Sequence, residues 1–70
     1  MDDKEFKKRL RRLAGNNGKD YQETRQGKGS HSRVYYGDKF TTVRHGEIGT
    51  GLLSAMCRQL GITKKDLSDA

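Results

Sequence analysis

The 70-residue chain has no proline, no tryptophan and a single cysteine. One cysteine, Cys57, excludes an internal disulfide framework, and with only two histidines, His31 and His45, it makes a structural zinc site improbable. Leucine, isoleucine, valine and phenylalanine together supply only 12 residues. So thin a core is not expected to enclose a large organic cofactor, and none is predicted. No apolar run approaches the roughly 18 residues of a membrane span. The charged start, Met1-Asp2-Asp3-Lys4, predicts no signal peptide. Together these features predict a soluble, cytoplasmic protein forming one domain over residues 1–70.

What the chain does have is positive charge, unevenly placed. The formal net charge is +6. Residues 1–45 carry twelve Lys/Arg against six Asp/Glu, and residues 46–70 carry three of each, so the whole excess lies in the first two-thirds. A surface of this sign concentrates polyanions and speeds their capture, although simple solubility would account for it equally well.

Hydrophobic spacing predicts the elements. Phe6, Leu10 and Leu13 recur at i, i+4 and i+7, which predicts a helix over Asp2 to Ala14, with Asp2 or Asp3 as cap and Gly15 at its C-terminal end. Lys7, Lys8, Arg9, Arg11 and Arg12 cover the other faces, by default as a solvated helix surface. From Tyr21 to Val43 the period becomes two. Tyr21 to Gln26 is expected to form a first strand, and Ser30 to Tyr36 a second, with Ser30, Ser32, Val34 and Tyr36 on one face and His31, Arg33 and Tyr35 on the other. Gly37-Asp38 suits a hairpin turn into Lys39 to Val43, where Phe40 is expected inward together with Thr42 or Val43. Helical spacing returns at Leu53, Met56, Cys57 and Leu60, flanked by Leu52 and ended by Gly61. Ile48 can staple that helix, and Thr63 can cap a last short turn. The expected architecture is α+β: α-β-β-β-α, a three-stranded antiparallel sheet with two helices on one face.

Among the side chains that carry chemistry, His31 is the most informative. It lies in Gly27-Lys28-Gly29-Ser30-His31-Ser32-Arg33, at the start of a strand whose exposed side is polar and basic. Histidine takes or gives a proton near neutral pH, which suits general acid or base work on a ribose 2′-hydroxyl beside a phosphate. Lys28 and Arg33 could hold that phosphate and stabilise the charge developing on it. Position and composition alone favour the plainer role, a surface strand histidine. His45, before Gly46 and Glu47, reads mainly as a structural loop residue, although a phosphate contact stays open. Tyr35 could stack on a base or merely shield the sheet. Cys57 falls on the apolar stripe of its helix and reads as a small core residue. Gly27-Lys28-Gly29 lacks the spacing of a P-loop.

Taken in order, Gly29-Ser30-His31 ahead of a hydrophobic strand, Arg44-His45-Gly46-Glu47-Ile48, and a leucine-rich helix ending Arg58-Gln59-Leu60-Gly61-Ile62 make the chain resemble HicA-type toxins. These are the small mRNA interferases of type II toxin–antitoxin pairs. The resemblance covers about Thr24 to Thr63, with a matching amphipathic helix ahead of it. It departs at Val43, where the family often has proline, at Gly49 and Thr50, where lysines are common, and at Asn16 to Lys19, which reads as an insertion. The resemblance implies a double-stranded-RNA-binding-domain-like fold and a metal-independent endoribonuclease that cleaves mRNA, with His31 catalytic. It further implies a HicB-like antitoxin that covers the active face, and operator DNA bound only through that antitoxin. The RNA-binding residues are then expected to be Arg25, Lys28, Gly29, Ser30, Arg33, Lys39 and Arg44, on a basic sheet face. A non-catalytic RNA-binding module of the same fold, and a protein-interaction domain docking an acidic partner, are the competing readings.

Overall fold

The computed structural model describes residues 1–25 and 31–70. Its elements run α1 (Asp3–Asn16), β1 (Tyr21–Arg25), β2 (His31–Tyr36), β3 (Lys39–Arg44), α2 (Thr50–Leu60) and α3 (Lys64–Asp69). The strands form one antiparallel sheet in the order β1-β2-β3. This is the expected α+β, double-stranded-RNA-binding-domain-like arrangement, extended by α3.

Helix α1 forms because three devices agree. The Asp2 carboxylate accepts the backbone N–H of Glu5 at 2.8 Å, which satisfies one of the free amides of the first turn. Phe6, Leu10, Leu13 and Ala14 are buried along one stripe, while Lys4, Lys8, Arg11 and Arg12 stay exposed. The helix ends later than the spacing predicts. Gly15 is still helical, and the left-handed residue is Gly18 (φ 66°), past the Asn17 cap. Lys19 N–H reaches the Ala14 carbonyl at 2.8 Å and Gly18 N–H the Gly15 carbonyl at 3.4 Å, the paired bonds of a Schellman ending. Residues 16–19, which look inserted in the sequence, therefore terminate the helix.

Gly37 alone has positive φ (64°) at the first central position of the β2–β3 turn, as a type II′ hairpin turn requires. That two-residue turn sets Tyr36 opposite Lys39 and every later pair. On the helix side, Ser32, Val34, Tyr36, Thr41 and Val43 are buried. On the outer side stand His31, Arg33 and Tyr35 opposite Arg44, Thr42 and Phe40. The expectation of an inward Phe40 is thus corrected: it lies on the outer face and is 47% exposed. Once Tyr36 points inward, its neighbour Tyr35 and Tyr35's partner Phe40 must point outward together.

Helix α2 lies against β3, burying Met56, Cys57 and Leu60, with Leu53 partly covered and Leu52 half exposed. Burial pushes the Cys57 thiol pKa up, Lys64 pulls it down and Asp66 raises it, in that order of size. Gly61 (φ 74°) closes α2. Thr63 then opens α3 with a capping box: its hydroxyl accepts from Asp66 N–H while the Asp66 carboxylate accepts from Thr63 N–H. Leu67 seals α3 into the core beneath α1.

Candidate nucleic-acid interface

The site grows from the outer side of the β2–β3 ladder. His31 opens β2 and pairs directly with Arg44 at the end of β3, and Arg33 follows two residues along the same face. Directly opposed side chains on one sheet face stand about 4.5–5.5 Å apart at Cβ, so the imidazole and the Arg44 side chain leave the sheet as neighbours. Helix α2 supplies a wall. His31, Arg33, Thr42 and Arg44 from the sheet and Leu52, Ala55 and Gln59 from the helix line a groove of about 720 Å³ that follows the β3 edge. The Thr41 hydroxyl donates to the Gln59 side-chain oxygen, which ties β3 to α2 within the groove.

Electrostatically the groove is cationic and uncompensated. Among the described residues neither Arg33 nor Arg44 has an acidic partner, and no hydrogen bond holds the half-buried His31 ring. Arg33 is instead held by aromatics: its guanidinium carbon lies 4.5 Å from the Phe40 ring centroid, and its Nη1 is 3.5 Å from the Tyr35 hydroxyl. The buried Arg33 Nε has no acceptor, an unsatisfied donor beside the groove. Two guanidiniums and one free imidazole converging on a half-open cleft can bind a phosphate and move a proton beside it.

Of the remaining residues expected at the site, the described ones, Arg25 and Lys39, point away from it. Lys28, Gly29 and Ser30, with Gly27, lie outside the described residues. Arg25 sits on β1, the far edge of the sheet, opposite the inward Ser32, so its side chain leaves on the helix side. Lys39 pairs with the inward Tyr36 and runs along Gly61, again on the helix side. Among the described cations expected at the site, Arg33 and Arg44 share a face with His31, whereas Arg25 and Lys39 leave the opposite face of the sheet. Alternation of side chains along a strand separates the others.

His45 has a different occupation. Its Nδ1 is 3.5 Å from Asp3 Oδ2, and the ring is 70% exposed. Asp3 Oδ1 accepts the Gly46 N–H at 3.0 Å, while Asp3 N–H donates to the Gly46 carbonyl at 2.9 Å. Glu47 adds an ion pair to the Met1 ammonium at 2.7 Å, and Ile48 N–H donates to the Met1 carbonyl. The Gly46 amide chiefly, and the His45 charge after it, lower the Asp3 carboxyl pKa below 3.8 against the opposing effect of burial. Arg44-His45-Gly46-Glu47 is therefore a latch onto the start of α1, with Gly46 at φ 110° making the turn. His45 does not line the His31 groove.

Sequence reasoning missed Phe40, Leu52 and Gln59. The first was legible: the two-residue turn with Tyr36 inward fixes Phe40 outward. The helix wall was not, because nothing local to α2 tells where its exposed Leu52 edge will stand relative to β3. Among the described residues no three His, Cys, Asp or Glu side chains cluster as metal ligands, and no helix is long and apolar enough to cross a membrane.

No curated protein and no solved structure matches the chain. A family model described as the HicA toxin of bacterial toxin–antitoxin systems matches residues 4–62, from the first turn of α1 to just past α2. The match takes in the whole sheet, the latch and both walls of the groove. The chain therefore belongs to the HicA family, the toxin component of bacterial toxin–antitoxin systems.

Proposed function

We propose that this toxin is a metal-independent endoribonuclease that cleaves mRNA, arresting translation and growth, and that a HicB-like antitoxin neutralises it by covering the His31 face. The observation that carries the reading is the His31–Arg44 pair on the outer sheet face, with Arg33 beside it and no acid among the described residues to neutralise either arginine. A phosphate in the groove is gripped by Arg33 and Arg44. His31 accepts the proton of the adjacent ribose 2′-hydroxyl as its oxygen attacks phosphorus. The bond to the 5′-oxygen breaks, leaving a 2′,3′-cyclic phosphate, and the 5′-oxygen takes a proton from solvent water to become a 5′-hydroxyl. The arginines stabilise the extra negative charge on the five-coordinate phosphorus. Lys28, Gly29 and Ser30, immediately ahead of His31 in the chain, are assigned to RNA contact on the family resemblance. DNA at an operator would be reached only through the antitoxin.

One gel tests this. Purified protein and RNA are incubated with a chelator, beside the His31→Gln variant. Shortened RNA from the unchanged chain alone is the expected result. Intact RNA that nevertheless shifts with the protein would replace the nuclease by a non-catalytic RNA-binding module. Cleavage by the His31→Gln variant with an unchanged circular dichroism spectrum would remove His31 from the chemistry.

A further inference from the structure

The His31 groove does not end at Arg33. A second cavity of about 440 Å³, lined by Lys39, Phe40, Thr41, Thr42 and Gln59 with Asp38, shares Thr41, Thr42 and Gln59 with the first. The two form one track along the β3 edge, with His31 and Arg44 at one end and Phe40 at the other. Phe40 is the large hydrophobic side chain that the sheet leaves open, 47% exposed, and it is not loose. Arg33 lies over its ring at 4.5 Å and Tyr35 packs beside it, ring centroids 5.6 Å apart at 44°. An aromatic ring fixed in place, open to solvent and flanked by Arg33 is a surface on which a nucleobase can stack while a phosphate meets the guanidinium.

Resting on the reading of this face as an RNA site, we infer that Phe40 is a base-stacking subsite and that the substrate is RNA unpaired at this position. Phe40 and Arg44 are four residues apart on β3, about 13 Å along the strand. The base on Phe40 therefore belongs to a different nucleotide from the one attacked. Every base has a π face, so the subsite accepts any base, but a base stacked within a duplex cannot offer that face to a side chain. The net charge of +6, and the lack of an acidic partner for Arg33 among the described residues, favour a polyanion as occupant. Phe40 is thus a positioning residue: it holds the strand, and the chemistry stays at His31.

The test uses the full chain and a 2′-O-methyl RNA octamer, which lacks the attacking hydroxyl, so that binding is read apart from cleavage. The intact octamer is expected to bind roughly five- to hundredfold more tightly than an octamer of the same length without bases. Phe40→Ala should lose that margin on the intact octamer and leave the baseless one unchanged; Phe40→Trp should keep it. Annealing the complementary strand should abolish the dependence on Phe40. With cleavable RNA, Phe40→Ala should raise KM and leave kcat in place. Equal binding of the intact octamer by Phe40→Ala and the unchanged protein, both folded by circular dichroism, overturns the inference and leaves the patch to a protein partner. A Phe40-dependent margin without any RNA shortening would instead sink the nuclease reading while this one stands.

Discussion

His31 and Arg44 are direct partners across the β2–β3 ladder, at the point where β3 runs into the latch that Asp3 holds. The position of the Arg44 backbone beside His31 is therefore set from both directions: by the hairpin register on one side and by the Asp3–Gly46 bonds on the other. A sheet edge alone would leave a strand-terminal arginine free to wander. Here the residues immediately after it are pinned to the start of α1.

Replacing the imidazole should separate folding from chemistry. Half-buried on the outer face, His31 makes no described hydrogen bond, so His31→Ala should unfold at nearly the same temperature as the unchanged chain. RNA cleavage should fall by about 10²- to 10⁴-fold, the usual contribution of one acid/base group, and growth arrest on expression should disappear. A loss of more than a few degrees in Tm would reassign the residue to structure.

Arg44 should behave differently. As a phosphate contact it carries no base information, so Arg44→Ala should weaken binding of all RNA sequences alike. The slope of log affinity against log salt should flatten by about 0.7, one single-strand phosphate contact. Phe40→Ala should lower affinity without changing that slope, since stacking releases no counterions. Titrations of both variants at three salt concentrations distinguish the two roles.

How much of this was legible beforehand depends on the range of the interactions involved. The α1 stripe of Phe6, Leu10 and Leu13, the Thr63 cap and the inward Val34 and Tyr36 are local patterns, and the structure places them as their spacing predicts. Phe40 faces outward against its hydrophobicity because register decides its face, and the two-residue turn fixes that register. The Asp3–Gly46 latch joins residues 43 positions apart and has no local signature. The grouping of the cations failed for Arg25 and Lys39 because composition counts charges, whereas strand alternation sorts them onto opposite faces.

The latch should make stability acid-sensitive in a defined direction. Asp3 has its carboxyl pKa lowered in the folded chain, first by the Gly46 amide and then by His45. A depressed folded value means the stabilising contribution is complete above the ordinary value of 3.8 and is lost as pH falls through the lower folded value. Asp3→Asn should therefore lower Tm at neutral pH and flatten its decline below about pH 4. Parallel melting curves of the two proteins, equally steep in acid, would show that the carboxylate contributes nothing.

The end of α1 offers a pair of substitutions with opposite signs. Gly15 is helical, and a Cβ built there meets nothing within 4 Å, so Gly15→Ala removes chain entropy from the unfolded state at no steric cost. It should stabilise by about 0.5–1 kcal/mol, the difference between glycine and alanine inside a helix. Gly18 also has open space around it, but its φ of 66° is one that side-chain-bearing residues rarely adopt. Gly18→Ala should destabilise by about 1–2 kcal/mol, because the left-handed turn that lets Lys19 N–H reach the Ala14 carbonyl becomes strained. At about 4–8 °C per kcal/mol for a chain of this size, the two variants should straddle the unchanged protein in thermal melts. If Gly15→Ala were the destabilising one, the helix would end where the hydrophobic spacing first placed it, and residues 16–19 would be a loop instead of its terminating turn.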